Sequence, residues 1–246
     1  MTSVNQAGVT PSADRPTEGA SATAARIALF DLDHTLLPID SDHAWGEFTL
    51  ARGWVDSEIF KQKNDGFYAQ YQAGTLDVHA YVRFATAAIC QRGATESIAA
   101  HADFMRATVQ NSIKPQALEL VRQHQRCGDR VVIVTATNEF VTRPIARALG
   151  VSELIAVELE VDSSTGWYTG AIRGVPSFRE GKVVRVGAWL QAHGLDWSSV
   201  HTTFYSDSLN DLALLERANV AVATNPDARL RALAQARGWR ILDLFG

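Results

Sequence analysis

Ile27-Ala-Leu-Phe-Asp-Leu-Asp-His-Thr-Leu-Leu37 is the stretch that decides the fold. Its apolar run ends at Phe30 and reads as a short buried strand. Asp31 and Asp33 follow at i and i+2, and then Thr35. In an extended segment that spacing puts both carboxylates on one side. Like charges so close repel unless a cation or a shared proton holds them. A strand ending in paired carboxylates therefore points to Mg²⁺ and phosphoryl chemistry. Taken alone, the segment also fits a strand followed by an Asp-capped turn.

The 246 residues suffice for one large domain, or for one domain carrying an inserted lobe. An apolar content of 46% and a charged content of 20% fit an ordinary globular protein, and a net charge of −4 gives no hint of a nucleic-acid partner. Two cysteines, Cys90 and Cys127, make neither a disulfide framework nor a zinc site, so a reducing, cytoplasmic setting is expected. Both read as buried apolar residues rather than reactive thiols. No apolar run is long enough to span a bilayer, and no membrane partner is expected. Residues 1–24 are rich in Ala, Ser, Thr, Gly and Pro and lack the basic start and apolar core of a secretory signal. A disordered tail is expected there.

After the tail, strands and helices mostly alternate, which predicts an α/β fold with a parallel sheet. The exception is residues 42–112, with no convincing strand and with helices expected over Ala44–Arg52, Glu58–Ala73 and Leu76–Cys90. The predicted organisation is a core of residues 25–41 and 113–246 with a helical cap, 42–112, inserted into it. Ten of the 21 aromatic residues fall in that insertion, which is best explained by a small helical lobe needing large side chains to fill its core. Later strands are expected at Arg130–Thr135, Thr202–Ser206, Val220–Ala223 and Trp239–Leu244, with a hairpin of Leu154–Val161 and Trp167–Ile172. Pro144 predicts a kink or a late helix start.

Three further polar sites accompany these elements. Thr135-Ala-Thr-Asn138 follows one strand, Ser206-Asp-Ser-Leu-Asn-Asp211 follows another, and Lys182 opens a helix between them. Ligands of parallel α/β sheets bind beyond the carboxyl ends of strands, so the three can converge on Asp31. Each alone has a plainer explanation: a turn threonine, a solvated lysine, and a helix cap with a first-turn acid.

Together, in this order, Asp-x-Asp-x-Thr, the strand-end hydroxyl, the lysine and Asp-x-x-x-Asp resemble the haloacid-dehalogenase-like hydrolases, over essentially everything after the tail. The insertion placed directly after the first motif is similar to the cap of the phosphoserine-phosphatase-like branch. The resemblance implies a Rossmann-like core and a Mg²⁺-dependent phosphatase acting on a small-molecule phosphomonoester. It also implies roles: Asp31 as nucleophile, Asp33 as general acid and base, and Thr135 and Lys182 on the phosphoryl oxygens. Asp31, the backbone carbonyl of Asp33, and Asp207 would hold Mg²⁺, with Asp211 and Asn210 supporting them from behind. The second aspartate, Asp33, argues against dehalogenation. Nine residues past the nucleophile the branch carries a Glu that meets a substrate amine; here Asp40 stands there, which implies an amine-bearing substrate such as phosphoserine or histidinol phosphate. Arg52, Arg83 and Arg92 are the arginines from which a substrate carboxylate could be met. His34 reads as a bystander between the two motif residues. The alternatives are a phospho-accepting signalling domain and a binding protein on the same scaffold without turnover.

Overall fold

The computed structural model describes residues 24–245, so the tail expectation lies, Ala24 apart, outside the described residues. Strand β1 (Ala25–Phe30) is followed by helices only: α1 (Ser41–Ala51), α2 (Ser57–Ala73), α3 (Val78–Phe104), a π-helical turn at Met105–Val109 and α4 (Gln110–Ser112). Alternation then begins with α5 (Pro115–Arg126), β2 (Arg130–Asn138), α6 (Glu139–Ala148) and β3 (Glu153–Val157). It continues through β4 (Leu159–Val161), β5 (Tyr168–Ile172), α7 (Glu180–Ala192) and β6 (Val200–Ser206). The last elements are α8 (Leu212–Arg217), β7 (Val220–Thr224), α9 (Ala228–Arg237) and β8 (Arg240–Leu242).

Six strands form one sheet in the order β3-β2-β1-β6-β7-β8, every pairing parallel. The strand order turns back at β1, between β2 and β6, which opens a crevice at its carboxyl end. Phe30 pairs with Ile133 on one side and Tyr205 on the other. That register brings the segments carrying Asp31, Thr135 and Asp207 off the sheet at nearly one level. Side chains alternate between two cores, as the two-residue strand period requires. Ile27, Leu29, Val132 and Phe204 pack with Val186, Leu190, Leu214 and Leu230 from α7, α8 and α9. Ala28, Phe30 and Ile133 face Val121 of α5 and Ile145 of α6.

The helical insertion shares that second core. Trp45 of α1 is buried against Phe48, Phe104 and, across in α6, Phe140, with ring centroids 5.3 to 5.6 Å apart. Phe67 and Phe84 join α2 to α3 at 5.3 Å. The aromatic residues of the insertion thus serve mainly as packing, each burying a large apolar area. Gly93 breaks α3 with φ 77° and ψ 178°, a conformation only glycine adopts without strain.

Three expectations change. Leu154–Val161 is two strands: β3 joins the main sheet, and only β4 forms the hairpin with β5. The division falls at Glu158, whose carboxylate pairs with Arg173 at 2.6 Å and also with Arg185. The hairpin packs on the insertion, where Trp167 Nε1 donates to the Ile89 carbonyl at 2.8 Å. Helix α6 starts at Glu139, capped by Asn138, and runs through Pro144. Cys90 is half-buried as an apolar residue would be, but Cys127 is exposed, because it caps the end of α5 in the turn to β2. No described helix is long and apolar enough to cross a membrane.

Candidate active site

Asp31 leaves β1 with its backbone N–H donating to the Tyr205 carbonyl at 2.9 Å, which fixes it against β6. Its Oδ1 accepts from Lys182 Nζ at 2.8 Å. The other carboxylate oxygen has no protein hydrogen-bond donor among the described residues. Lys182 reaches this point because α7 starts tightly on the preceding loop: a Cβ on Gly181 would stand 2.1 Å from the Pro176 carbonyl. Lys182 is 2% exposed, and its ammonium also donates to Asp211 Oδ2 at 2.7 Å. Burial alone would lower the Lys182 pKa, but the charges of Asp211 and Asp31 and their hydrogen bonds hold it above its ordinary value. Lys182 is therefore a permanent cation wedged between the two acids. Ser206 Oγ donates to the same Asp211 oxygen at 2.8 Å. Burial first, then the Asp31 charge, push Asp211 up to about 6, against the pull of Lys182.

Asp33 is turned the other way. Its Oδ1 accepts from the Ser41 N–H at 2.8 Å and its Oδ2 from Thr137 Oγ1 at 2.9 Å. Burial, then the charges of Asp40 and Asp31, hold its pKa well above the usual carboxylate range, although Ser41 opposes the shift. A carboxyl group whose pKa is raised in this way is suited to act as an acid. The turn after Asp33 has His34 at φ 58°, and Asn225 Nδ2 braces it by donating to the His34 carbonyl at 2.8 Å.

Asp207 closes the site from β6. Its N–H donates to Thr35 Oγ1 at 3.1 Å, and that hydroxyl lies 3.2 Å from Asp207 Oδ1. Burial, then Asp31 and Asp211, push the Asp207 pKa up to about 9. No basic side chain pairs with Asp207 among the described residues, so the excess acid charge has no protein counter-ion. A hard divalent cation would supply one, and the donors available are of the right kind: two carboxylates, Asp31 and Asp207, and the main-chain carbonyl of Asp33. Among the described residues no three or more His, Cys, Asp or Glu side chains are arranged to hold a metal ion by themselves, so a cation here would need main-chain oxygen or water as well.

Thr135 is buried, and its Oγ1 accepts from the Thr137 N–H at 3.1 Å, which leaves its own proton free to donate. Asn210 adjoins Asp211 and receives Arg179 Nη2 on Oδ1 at 3.4 Å. Asp40 is exposed and caps α1, Oδ1 accepting from the N–H groups of Asp42 and His43 at 3.0 and 2.9 Å. Thr137, Ser206 and Asn225 are site residues the sequence reading passed over. Thr137 was findable, since it sits two residues past Thr135 and so on the same side of an extended segment. Ser206 bonds within its own motif, to Asp211 five residues on, whereas Asn225 works through contacts distant in sequence, with no local signal.

A family model described as haloacid dehalogenase-like hydrolase matches residues 28–216. A histidinol-phosphatase from Neisseria meningitidis serogroup C is 39% identical over 218 residues, covering 88% of this chain and 98% of that protein. A crystal structure of a protein of unknown function from Bordetella pertussis Tohama I superposes with a TM-score of 0.85 at 46% identity, covering 91% of this chain and 100% of that one. A structure of a phospho-aspartyl intermediate analogue of phosphoserine phosphatase shares the fold, with a TM-score of 0.60 at 15% identity over 89% of this chain and 93% of that one.

Proposed function

The chain belongs to the haloacid dehalogenase-like hydrolases and is a phosphatase of that family, and from that premise we propose that it is Mg²⁺-dependent and cleaves histidinol phosphate through a phosphoaspartate at Asp31. The observation that carries the mechanism is the different treatment of the two motif acids: Lys182 is bonded to Asp31, whereas Asp33 is bonded to Ser41 and Thr137 with its pKa held well above the usual carboxylate range. One oxygen of Asp31 attacks phosphorus and the ester P–O bond breaks. The leaving oxygen takes its proton from Asp33. Water then attacks the phosphoaspartate, returns a proton to Asp33, and the bond between phosphorus and Asp31 breaks to release phosphate. Lys182 and the Thr135 hydroxyl stabilise the charge on the transferring oxygens. Mg²⁺, held by Asp31, Asp207 and the Asp33 carbonyl, would neutralise the acid cluster and the phosphate. Residues 42–112 act as the cap over this centre, excluding bulk water.

Substrate choice follows from where the arginines go. Arg52 pairs with Asp103 and lies over Phe48, and Arg92 pairs with Glu96 over Trp54. Arg83 lines a groove between α2 and α3 with Lys63 and Phe67, away from every catalytic residue. None of the three is placed to meet a substrate carboxylate, which phosphoserine has and histidinol phosphate lacks. Asp40 and Asp42, beside Asp33, favour a cationic substrate, and the similarity to a histidinol-phosphatase runs nearly end to end.

Phosphate release from histidinol phosphate, phosphoserine and p-nitrophenyl phosphate, with Mg²⁺ and with chelator, tests the proposal. Histidinol phosphate should exceed phosphoserine in kcat/KM by about a hundredfold or more, and chelator should stop all three reactions. Equal or better use of phosphoserine would overturn the substrate, and full activity in chelator would overturn the metal.

A further inference from the structure

We propose that Arg179 is a positioning residue that ties the end of helix α2, in the helical insertion, to the Asp211–Lys182 pair, so that the catalytic ammonium is aligned only while the insertion is seated; this rests on the phosphatase reading above.

Arg179 has φ 52° and ψ −124°, a conformation that glycine adopts freely and other residues adopt only under strain. It stands at the cap position of α7, yet its side chain makes no capping hydrogen bond there. What the side chain does is reach outward. The guanidinium lies over the Phe178 ring at 5.0 Å, and Nη2 approaches Asn210 Oδ1 at 3.4 Å. No carboxylate pairs with it among the described residues. It also packs on Gly74, where an added Cβ would stand 2.8 Å from Nη2.

Gly74 is the left-handed cap that ends the 17-residue helix α2. The carbonyls at a helix C-terminus carry partial negative charge, so a guanidinium seated there is favourable. One turn back, Tyr71 Oη lies 3.4 Å from Ser208 Oγ. The end of α2 therefore touches the segment Ser208–Asn210 and Arg179 at neighbouring points. On the core side, the Lys182 N–H donates to the Arg179 carbonyl at 3.0 Å, and Asn210 precedes the aspartate that holds Lys182 Nζ at 2.7 Å. Arg179 thus closes a ring through Asn210, Asp211 and Lys182, and α2 presses on its open side. Loss of the guanidinium would free α2 and slacken the pair together.

Arg179→Gly removes the guanidinium and relieves the backbone at once. In the full chain, with p-nitrophenyl phosphate and Mg²⁺, kcat/KM should fall about ten- to a hundredfold, while the melting temperature stays level or rises. Amide exchange over residues 70–75 should quicken. Arg179→Lys, which keeps a cation at the end of α2, should recover slow exchange there. A merely structural arginine predicts the reverse: activity within about twofold of wild type, or a melting temperature that falls in step with activity, and either result would overturn the proposal. Gly74→Ala presses on the same guanidinium from the other side. Because Gly74 is itself left-handed, part of the loss is local strain, so the loss should shrink, not vanish, in the Arg179→Gly background, and fully additive losses would contradict the coupling. Failure of the wild type to hydrolyse the ester would sink the phosphatase reading instead, leaving the exchange measurements to judge the contact itself.

Discussion

Asp31 has two acidic flanks, and they are built differently. On the β6 side, Asp31 and Asp211 share the buried Lys182 ammonium, with Asp207 beside them. On the α1 side, Asp33, Asp40 and Asp42 gather with no basic partner among the described residues. Asp42 is buried with Oδ2 accepting from the Tyr81 hydroxyl at 2.7 Å, and burial followed by the Asp40 charge pushes its pKa up to about 7. The first flank suits a metal, since three acids share one ammonium, and a metal together with Lys182 would receive an anion. The second stores protons and attracts cations. A phosphomonoester with an amine at its far end matches that polarity, phosphate toward Lys182 and ammonium toward Asp40.

The comparison breaks most sharply at Asp33. Asp33→Asn keeps the hydrogen-bonding shape but cannot exchange a proton, so kcat/KM, which reports the first phosphoryl transfer alone, should drop by about a thousandfold on a substrate with a poor leaving group. The drop should be smaller on p-nitrophenyl phosphate, whose leaving group needs no proton. Equal losses on both would remove the acid role. On the other flank, Asp207→Ala removes a hard ligand, and Mg²⁺ affinity by calorimetry should weaken about ten- to a hundredfold. Unchanged affinity would place the metal elsewhere.

Asp40 separates recognition from capping. Asp40→Ala should cost about tenfold in kcat/KM on the amine-bearing substrate and little on p-nitrophenyl phosphate. Equal losses on both, accompanied by about 1 kcal/mol of lost stability, would make it only the cap of α1. The smallest effect is at Asp42. Its folded pKa lies above the ordinary carboxylate value, so between about pH 4 and pH 7 the folded state binds more protons than the unfolded. Stability should therefore fall as pH rises through that window, and Asp42→Asn should remove about 2 kcal/mol of the fall. Denaturant melts in metal-free buffer at pH 5 and pH 8 would measure it, and an unaltered slope would count against a buried, cation-free carboxylate.

Which residues face the chemistry was readable wherever local pattern and topology agree. Asp31 and Asp207 each leave a strand end, Thr135 lies in the last residues of β2 before Asn138, and the parallel register then does the rest. The alternation of apolar residues sufficed for the sheet. It failed at Leu154–Val161, because nothing local distinguishes one long strand from two that part at Glu158, where arginines distant in sequence decide. The opposite fates of Asp31 and Asp33 were equally hidden. Their spacing said nothing of their partners: Lys182 bonds to Asp31, while beyond the turn at His34, braced by Asn225 from nearly two hundred residues away, Asp33 bonds to Ser41 and Thr137. Arg179 gave no signal at all, since its strain exists only in the folded backbone.

The central claim is that the two flanks divide one reaction, with Asp31 taking the phosphoryl group and Asp33 moving the proton. Rapid acid quench of Asp33→Asn turning over p-nitrophenyl phosphate, followed by peptide mass spectrometry, tests it directly. Without its base the variant should stall after the first transfer, with a phosphoryl group on the peptide containing Ile27–Leu37, assigned to Asp31 and absent from the Asp31→Asn variant. Steady turnover with no phosphorylated peptide, or a phosphoryl group on any other residue, would contradict the account.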